Sequence, residues 1–303
     1  MVLGKRAWFR VHSWLGVITG LLLFILCWSG TMATLAHEID WLLSPTLRVQ
    51  EEGKVLSLDK LHRQVAAQYP EAIIKSVHAT IATNRAAYVV VDMPEQQRLR
   101  IYVNPYNAGI LGTSSSFTVQ RFFRSFHITL FNGQFGLYVV WLMAIPLTIS
   151  FIAPLIFYKR WWQRFFVLKT DRGWRVLWSD LHKVIGLWSL WFVLVIALTS
   201  LWFLFEALRG DIGDGKSSWV GPSNSAIHVL PALTSSAERL PVSLLLLKAQ
   251  SARPEMDIKT INLDAAGYFY VDGQTDHLLV RDRANKLYLD PYSGQLMHDQ
   301  NIG

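Results

Sequence analysis

The chain has 303 residues, 51% of them apolar and only 17% charged, with 13 tryptophans, one cysteine and a formal net charge of +7. One thiol, Cys27, excludes an internal disulfide, a cysteine zinc site and an iron–sulfur cluster, and its place in an apolar run makes it a packing residue. A soluble domain can reach this composition, but here the apolar residues are bunched.

The first bunch is Ser13 to Ala36, 24 residues without a charge. Gly133 to Tyr158 adds 26 more, and Val184 to Phe205 a further 22. Crossing a bilayer takes roughly 20 apolar helical residues, so three transmembrane helices are expected, at 13–36, 137–158 and 183–205. Aromatics such as Trp8, Trp41, Tyr158, Trp161 and Trp178 stand near the ends, as interfacial belts do. The first run is too long for a cleaved signal peptide and lacks a clear small-residue cleavage site.

Positive charge sets the orientation. Lys5, Arg6 and Arg10 precede the first run with no acid, and residues 159–183 hold seven Lys/Arg against two acids. Residues 37–136 hold ten basic and eight acidic residues, and 206–303 hold nine and twelve. By the positive-inside rule, residues 1–12 and the 159–182 loop are cytoplasmic and the two long segments are exported to the periplasm. The basic pI near 9.5 is then a consequence of membrane topology, and no nucleic-acid partner is implied.

The two exported segments resemble each other. In 37–136, Pro70 and Lys75 lead into Ala87–Asp92 and then Ile101-Tyr-Val-Asn-Pro105-Tyr106. In 206–303, Pro254 and Lys259 lead into Tyr268–Asp272 and then Leu287-Tyr-Leu-Asp-Pro291-Tyr292. Helical spacing over 58–69 and 242–252, followed by strand-like alternation and a Pro-punctuated turn, predicts two α+β modules. Offsets that grow only by short insertions point to an internal duplication. Complete duplication would add a fourth helix after 303, so the second module reads as truncated before it.

Trp8, His12 and Gly16 recur as Trp178, His182 and Gly186, each set spaced by four so that one helix face carries all three. A histidine at the mouth of a membrane helix, used twice on one side, suggests a pair of metal ligands. His37 and His127 stand at the other side, since 25 residues from His12 to His37 span roughly 37 Å of helix. Bis-histidine ligation suits a haem iron dedicated to electron transfer. His12 with His182, and His127 with either His37 or a histidine of a missing fourth helix, are therefore the candidate axial ligands of one or two b-type haems, with Gly16, Gly20, Gly30 and Gly186 leaving room beside the helices. The bland alternatives are interfacial anchoring for the histidines and helix packing for the glycines. His62, His78, His228, His277 and His298 read as surface or structural residues. Arg98 with Arg100, and Arg121 with Arg124, are candidates for attracting an anionic chelate, or else for meeting headgroups and acids.

The run His12-Ser-Trp-Leu-Gly16, the stretch His37-Glu-Ile-Asp-Trp-Leu-Leu-Ser-Pro45 and the run Asp180-Leu-His-Lys-Val-Ile-Gly-Leu-Trp188 are similar to PepSY-associated transmembrane proteins. The resemblance covers nearly the whole chain and makes the exported units PepSY-like. It implies an inner-membrane, haem-bearing reductase of ferric siderophores, in a family of usually four helices, so this chain lacks the last. A second copy or a partner chain would supply it. With no Walker loop or dinucleotide fingerprint, the electron donor must lie elsewhere. The rival reading is a membrane-anchored binding or regulatory protein with no redox activity. A transporter subunit is a third, weakened by the absence of intramembrane acids.

Overall fold

The computed structural model describes residues 4–94, 98–115, 117–158, 160–168, 173–212, 238–265, 267–275 and 283–301. Two compact units emerge: Met1–Leu35 with Phe122–Trp219, and Ala36–Arg121 with Val220–Gly303.

The first unit is helical. α1 (Lys5–Leu43) begins in it and is 39 residues long, roughly 58 Å at 1.5 Å per residue. α3 (Val119–Thr129) is followed by a turn through Leu130 and Phe131, both at positive φ, into α4 (Gly133–Leu142). Gly136 is required in that turn, because a Cβ there would collide with the Thr129 carbonyl oxygen. α5 (Ala144–Phe157) continues α4 after a break at Met143. Pro146 explains the break, since it has no N–H to return to the Leu142 carbonyl. α4 meets α7 (Leu190–Ile212) through Trp141 and Leu204.

Among the described residues, Lys5–Leu43 and Gly133–Phe157 are each long and apolar enough to cross a membrane. The third apolar run differs from a straight span. α6 (Trp174–Trp188) and the first part of α7, to Phe205, meet at a 62° bend. The bend falls at Ser189, whose N–H and hydroxyl both donate to the Ile185 carbonyl, at 2.9 and 2.8 Å, a double use of one carbonyl that often accompanies a helix bend.

The second unit is an antiparallel sheet with two helices. α2 (Leu58–Gln68) precedes β1 (Ile73–His78), β2 (Ala87–Asp92), β3 (Arg98–Val103) and β4 (Ile110–Ser115). α8 (Val242–Ala252) precedes β5 (Asp257–Ala265), β6 (Tyr268–Gln274), β7 (Asn285–Leu289) and β8 (Leu296–Gln300). The eight strands form one sheet, ordered β4-β3-β2-β1-β5-β6-β7-β8, closed at its centre by antiparallel pairing of β1 with β5.

Strand alternation divides the sheet's faces. Val77, Val89, Ile101, Ile261, Val271 and Leu287 point to one face and are fully buried with Leu61 and Val65 of α2 and Leu245 and Ala249 of α8. Burying such side chains contributes about 1.5–3 kcal/mol each, which makes this face the unit's main source of stability.

The two halves correspond in detail. The register shifts at Tyr102/Val103 and again at Tyr288/Leu289. Asn104 Oδ1 accepts from the Tyr106 N–H, and Asp290 Oδ1 from the Tyr292 N–H. The Leu56 N–H donates to the Pro105 carbonyl, and the Leu240 N–H to the Pro291 carbonyl. Each Pro-Tyr turn is thus closed by a side-chain acceptor and tied to the strand of chain entering its helix.

Candidate functional site

In the helical unit, the equal spacing of Trp, His and Gly in α1 and α6 has its expected result: each trio lies within one helix. The structure brings His12 and His182 together, ring centroids 6.3 Å apart and planes inclined by 53°. Two imidazoles bonded at about 2 Å to opposite sides of one metal hold their centroids roughly 6 Å apart. Phe157 leans on His12 at 5.9 Å, and Phe9 meets Phe157 edge-on. Among the described residues, the buried His12 Nδ1 has no hydrogen-bond partner. Buried ring nitrogens seldom stay unpaired, so this atom has the character of a ligand waiting for an acceptor of its lone pair or proton.

The pair borders a cavity of about 640 Å³ between α1, α5, α6 and α7, lined among others by Gly16, Phe151, Gly186 and Val193. Sites for organic cofactors commonly measure roughly 300–1,000 Å³ with apolar walls. A Cβ placed on Gly16 or Gly186 would meet nothing within 4 Å, so both glycines face open space. Beside His182, Asp180 and Lys183 pair with each other at 2.8 Å, which leaves the site's mouth without a net charge from these two. Donor type, separation, orphaned nitrogen and cavity size all fit a haem.

His127, on α3, is held differently. Its Nδ1 lies 2.9 Å from the Leu26 carbonyl oxygen and 3.3 Å from Ser29 Oγ. A carbonyl only accepts, so Nδ1 carries the proton and the lone pair of a neutral ring sits on Nε2. Metal-binding histidines are commonly oriented by this kind of bond. Gly30 makes room for the ring: a Cβ there would stand 2.8 Å from His127 Cε1. This revises the sequence reading of Gly30, whose clearance is filled by the histidine itself.

His37 belongs to the sheet unit and is exposed. Its carbonyl accepts from Arg85 Nη1 at 2.8 Å, and its ring forms no hydrogen bond among the described residues. Nearby, Asp40 accepts from the Val119 and Gln120 N–H groups at 2.8 and 3.0 Å and so caps α3. Of the arginine candidates, Arg98 is neutralised by Asp92 at 2.8 Å, whereas Arg100 lies over the Tyr88 ring at 5.1 Å. Arg124 pairs with no acid among the described residues.

His78, expected as a surface or structural residue, is a half-buried member of a polar face that sequence reasoning missed. It stacks on Tyr88 at 4.3 Å and shares its Nε2 with Ser76 Oγ at 2.8 Å. Burial, assisted by Arg283 and Arg100, pulls its pKa down to about 3, so the ring is neutral. His62 is half-buried on α2, and burial lowers its pKa. His298 is exposed on β8, and His228 and His277 lie outside the described residues. No cluster of three or more metal-ligating side chains forms among the described residues.

Two helical stretches long and apolar enough to cross a membrane, in one chain with a two-part antiparallel sheet, define the class: a membrane protein with an attached α+β unit. The family model of the PepSY-associated TM region matches residues 9–256, and the chain belongs to that family. A direct comparison with curated proteins returns no match.

Proposed function

We propose that the chain is a haem-containing electron-transfer protein of the bacterial inner membrane that reduces ferric siderophore, or other ferric iron, on the periplasmic side during iron uptake. The observation that carries this reading is the His12–His182 pair, 6.3 Å between centroids, at the edge of a large apolar cavity. A simple membrane anchor has no use for matched, facing imidazoles.

His12 and His182 would hold the group at the cytoplasmic level, and His127, with Nε2 left as its lone-pair nitrogen, would hold another at the periplasmic level. His37 is the remaining outer candidate. Bound there, b-type haem supplies a one-electron carrier at a potential set by its ligands and its low-dielectric surroundings. The protein's part is to orient the imidazoles, keep water from the cavity with apolar walls, and fix the His127 tautomer through the Leu26 carbonyl.

The topology that goes with this has three spans at 13–36, 137–158 and 183–205, the bent α6–α7 pair serving as the third. Residues 1–12 and 159–182 are cytoplasmic, and the PepSY-like modules of 37–136 and 206–303 are periplasmic. Matching turns and register shifts in the two half-sheets support descent of those modules from one duplicated unit. The electron donor is a separate protein, a quinol or a soluble reductant, and each electron delivered converts one ferric ion to ferrous.

Reconstitution tests this directly. Vesicles containing the full chain and haem enclose a reductant, with ferric chelate and a membrane-impermeant ferrous indicator outside. Ferrous iron should form outside only when the chain is present. Equal rates in empty vesicles would overturn the proposal.

A further inference from the structure

Two prolines interrupt the hydrogen-bond ladder of the second apolar stretch, with different results. A proline lacks the N–H that would return to the carbonyl four residues earlier. Pro146 and Pro154 therefore deprive the Leu142 and Ser150 carbonyls of their helix donors. At Leu142 the helix breaks, and α4 ends there. At Ser150 it does not. α5 runs on past Pro154 to Phe157, and the Tyr158 N–H still donates to the Pro154 carbonyl at 2.8 Å. A carbonyl without its ladder donor thus stands on the side of a continuous, strongly apolar helix, where an unsatisfied backbone group is costly.

Ser150 and Pro154 lie with Leu147 and Phe157 on the face of α5 that lines the cavity beside His12. The His12 imidazole is the group that meets the freed carbonyl, through a hydrogen bond to the Ser150 backbone. Phe157, on the turn after Pro154, leans on the same ring at 5.9 Å. Nδ1 has no hydrogen-bond partner among the described residues, so the bond to Ser150 comes from Nε2. A carbonyl only accepts, so Nε2 carries the proton and the lone pair of the neutral ring sits on Nδ1. Turning the ring over would set a carbon against the carbonyl instead. His127 has the opposite arrangement, its Nδ1 donating to the Leu26 carbonyl at 2.9 Å.

We propose that Pro154 is a positioning residue for His12: lacking an N–H, it leaves the Ser150 carbonyl to His12 Nε2–H, which fixes the ring and presents Nδ1 as the nitrogen for a metal centre beside His182. That the centre is a haem rests on the proposed function. The tautomer rests only on the seating of His12 against α5, and it exists before any metal binds. A carbonyl on the far N–H of a ligand imidazole raises its basicity, which favours the oxidised metal. Ser150 acts through its backbone, so its side chain is dispensable for this role.

Nitrogen-15 NMR of the metal-free, detergent-purified full chain with labelled histidine reads the tautomer at mildly alkaline pH, the His12 signals being those lost in H12Q. The parent should show His12 protonated at Nε2 and His127 at Nδ1. Pro154→Ala restores an N–H that competes for the Ser150 carbonyl, and it removes a helix breaker, so the variant should fold. Its His12 Nε2–H should exchange with solvent about two- to tenfold faster, the range one net hydrogen bond confers. A lactic-acid residue at 154 differs from alanine only in an ester oxygen where the N–H was, and it should restore the parent's behaviour. Ser150→Ala should leave that behaviour unchanged. With haem bound, P154A should favour reduction of this centre by about two- to tenfold, roughly 20–60 mV for one electron, and the ester should reverse the shift. His12 protonated at Nδ1 in the parent, or the same His12 exchange with alanine and with the ester at 154, would overturn the proposal. Absence of haem with the NMR results intact would defeat the electron-transfer reading and leave the role of Pro154 standing.

Discussion

Gly30→Ala isolates the packing that sets His127. A methyl group built there lies 2.8 Å from His127 Cε1, with Nδ1 at 3.2 Å and Nε2 at 3.3 Å. Carbon contacts settle near 3.5–4.0 Å, so the ring must move by several tenths of an ångström or more. That movement strains the 2.9 Å bond from Nδ1 to the Leu26 carbonyl. Overpacking costs about 1–3 kcal/mol, and a poorly paired buried donor costs a similar amount. Against this, alanine gains about 1 kcal/mol over glycine within a helix. The expected net is a loss of about 1–2 kcal/mol in the parent and a gain of up to about 1 kcal/mol once His127 is also alanine. Reversible unfolding of G30A, H127A, the double variant and the parent in mixed detergent gives a coupling energy of about 1–3 kcal/mol if the reasoning holds. Coupling below about 0.5 kcal/mol would refute it, because the two side chains would then not share the space.

Asp272 and Asp40 give two further expectations. Burial raises the Asp272 pKa from 3.8 to about 6, so at intermediate pH the unfolded chain ionises while the folded carboxyl stays protonated. Stability should therefore fall as pH rises from about 4 to 6, by roughly 3 kcal/mol in all, and D272N should remove that slope when unfolding is followed across this range. Asp40→Ala removes the acceptor of two N–H groups at the start of α3 and should cost about 1–2 kcal/mol, with faster hydrogen exchange at Val119 and Gln120 as the local sign.

Much of the architecture is legible in the residues because it depends on short-range patterns. Uncharged runs mark the apolar helices, and alternation in Ala87–Asp92 and Tyr268–Asp272 marks strands that the structure contains. The equal spacing of Trp8, His12 and Gly16 with Trp178, His182 and Gly186 anticipates two histidines in like settings, and the two rings do come within 6.3 Å of each other. What escaped depends on distant partners. Nothing local says that β1 pairs with β5, 184 residues away at Val77 and Ile261, to make one sheet of two modules. The Asp40 cap acts on a helix 79 residues further on, and Gly30 is shaped by a ring 97 residues away, so neither role has a signature in its own neighbourhood. The polar face could have been found: Tyr88, Arg100, Tyr270 and Lys286 alternate with buried valines and leucines. The signal reads as ordinary solvent exposure until burial of Asp272 and Tyr288 is known. The bend at Ser189 was hidden by an unbroken apolar run, because hydropathy carries no information about the side-chain-to-carbonyl bond that accompanies it.

The central claim is that His12 and His182 jointly hold a haem. Its most direct test is the reduced-minus-oxidised visible spectrum of the haem-supplemented, detergent-purified chain, with a pyridine haemochrome count, for the parent and for H12A and H182A. The account predicts bis-histidine b-type bands in the parent and loss of the same one haem per chain in either variant. A parent without haem, or variants that keep their full complement and unchanged bands, would contradict it.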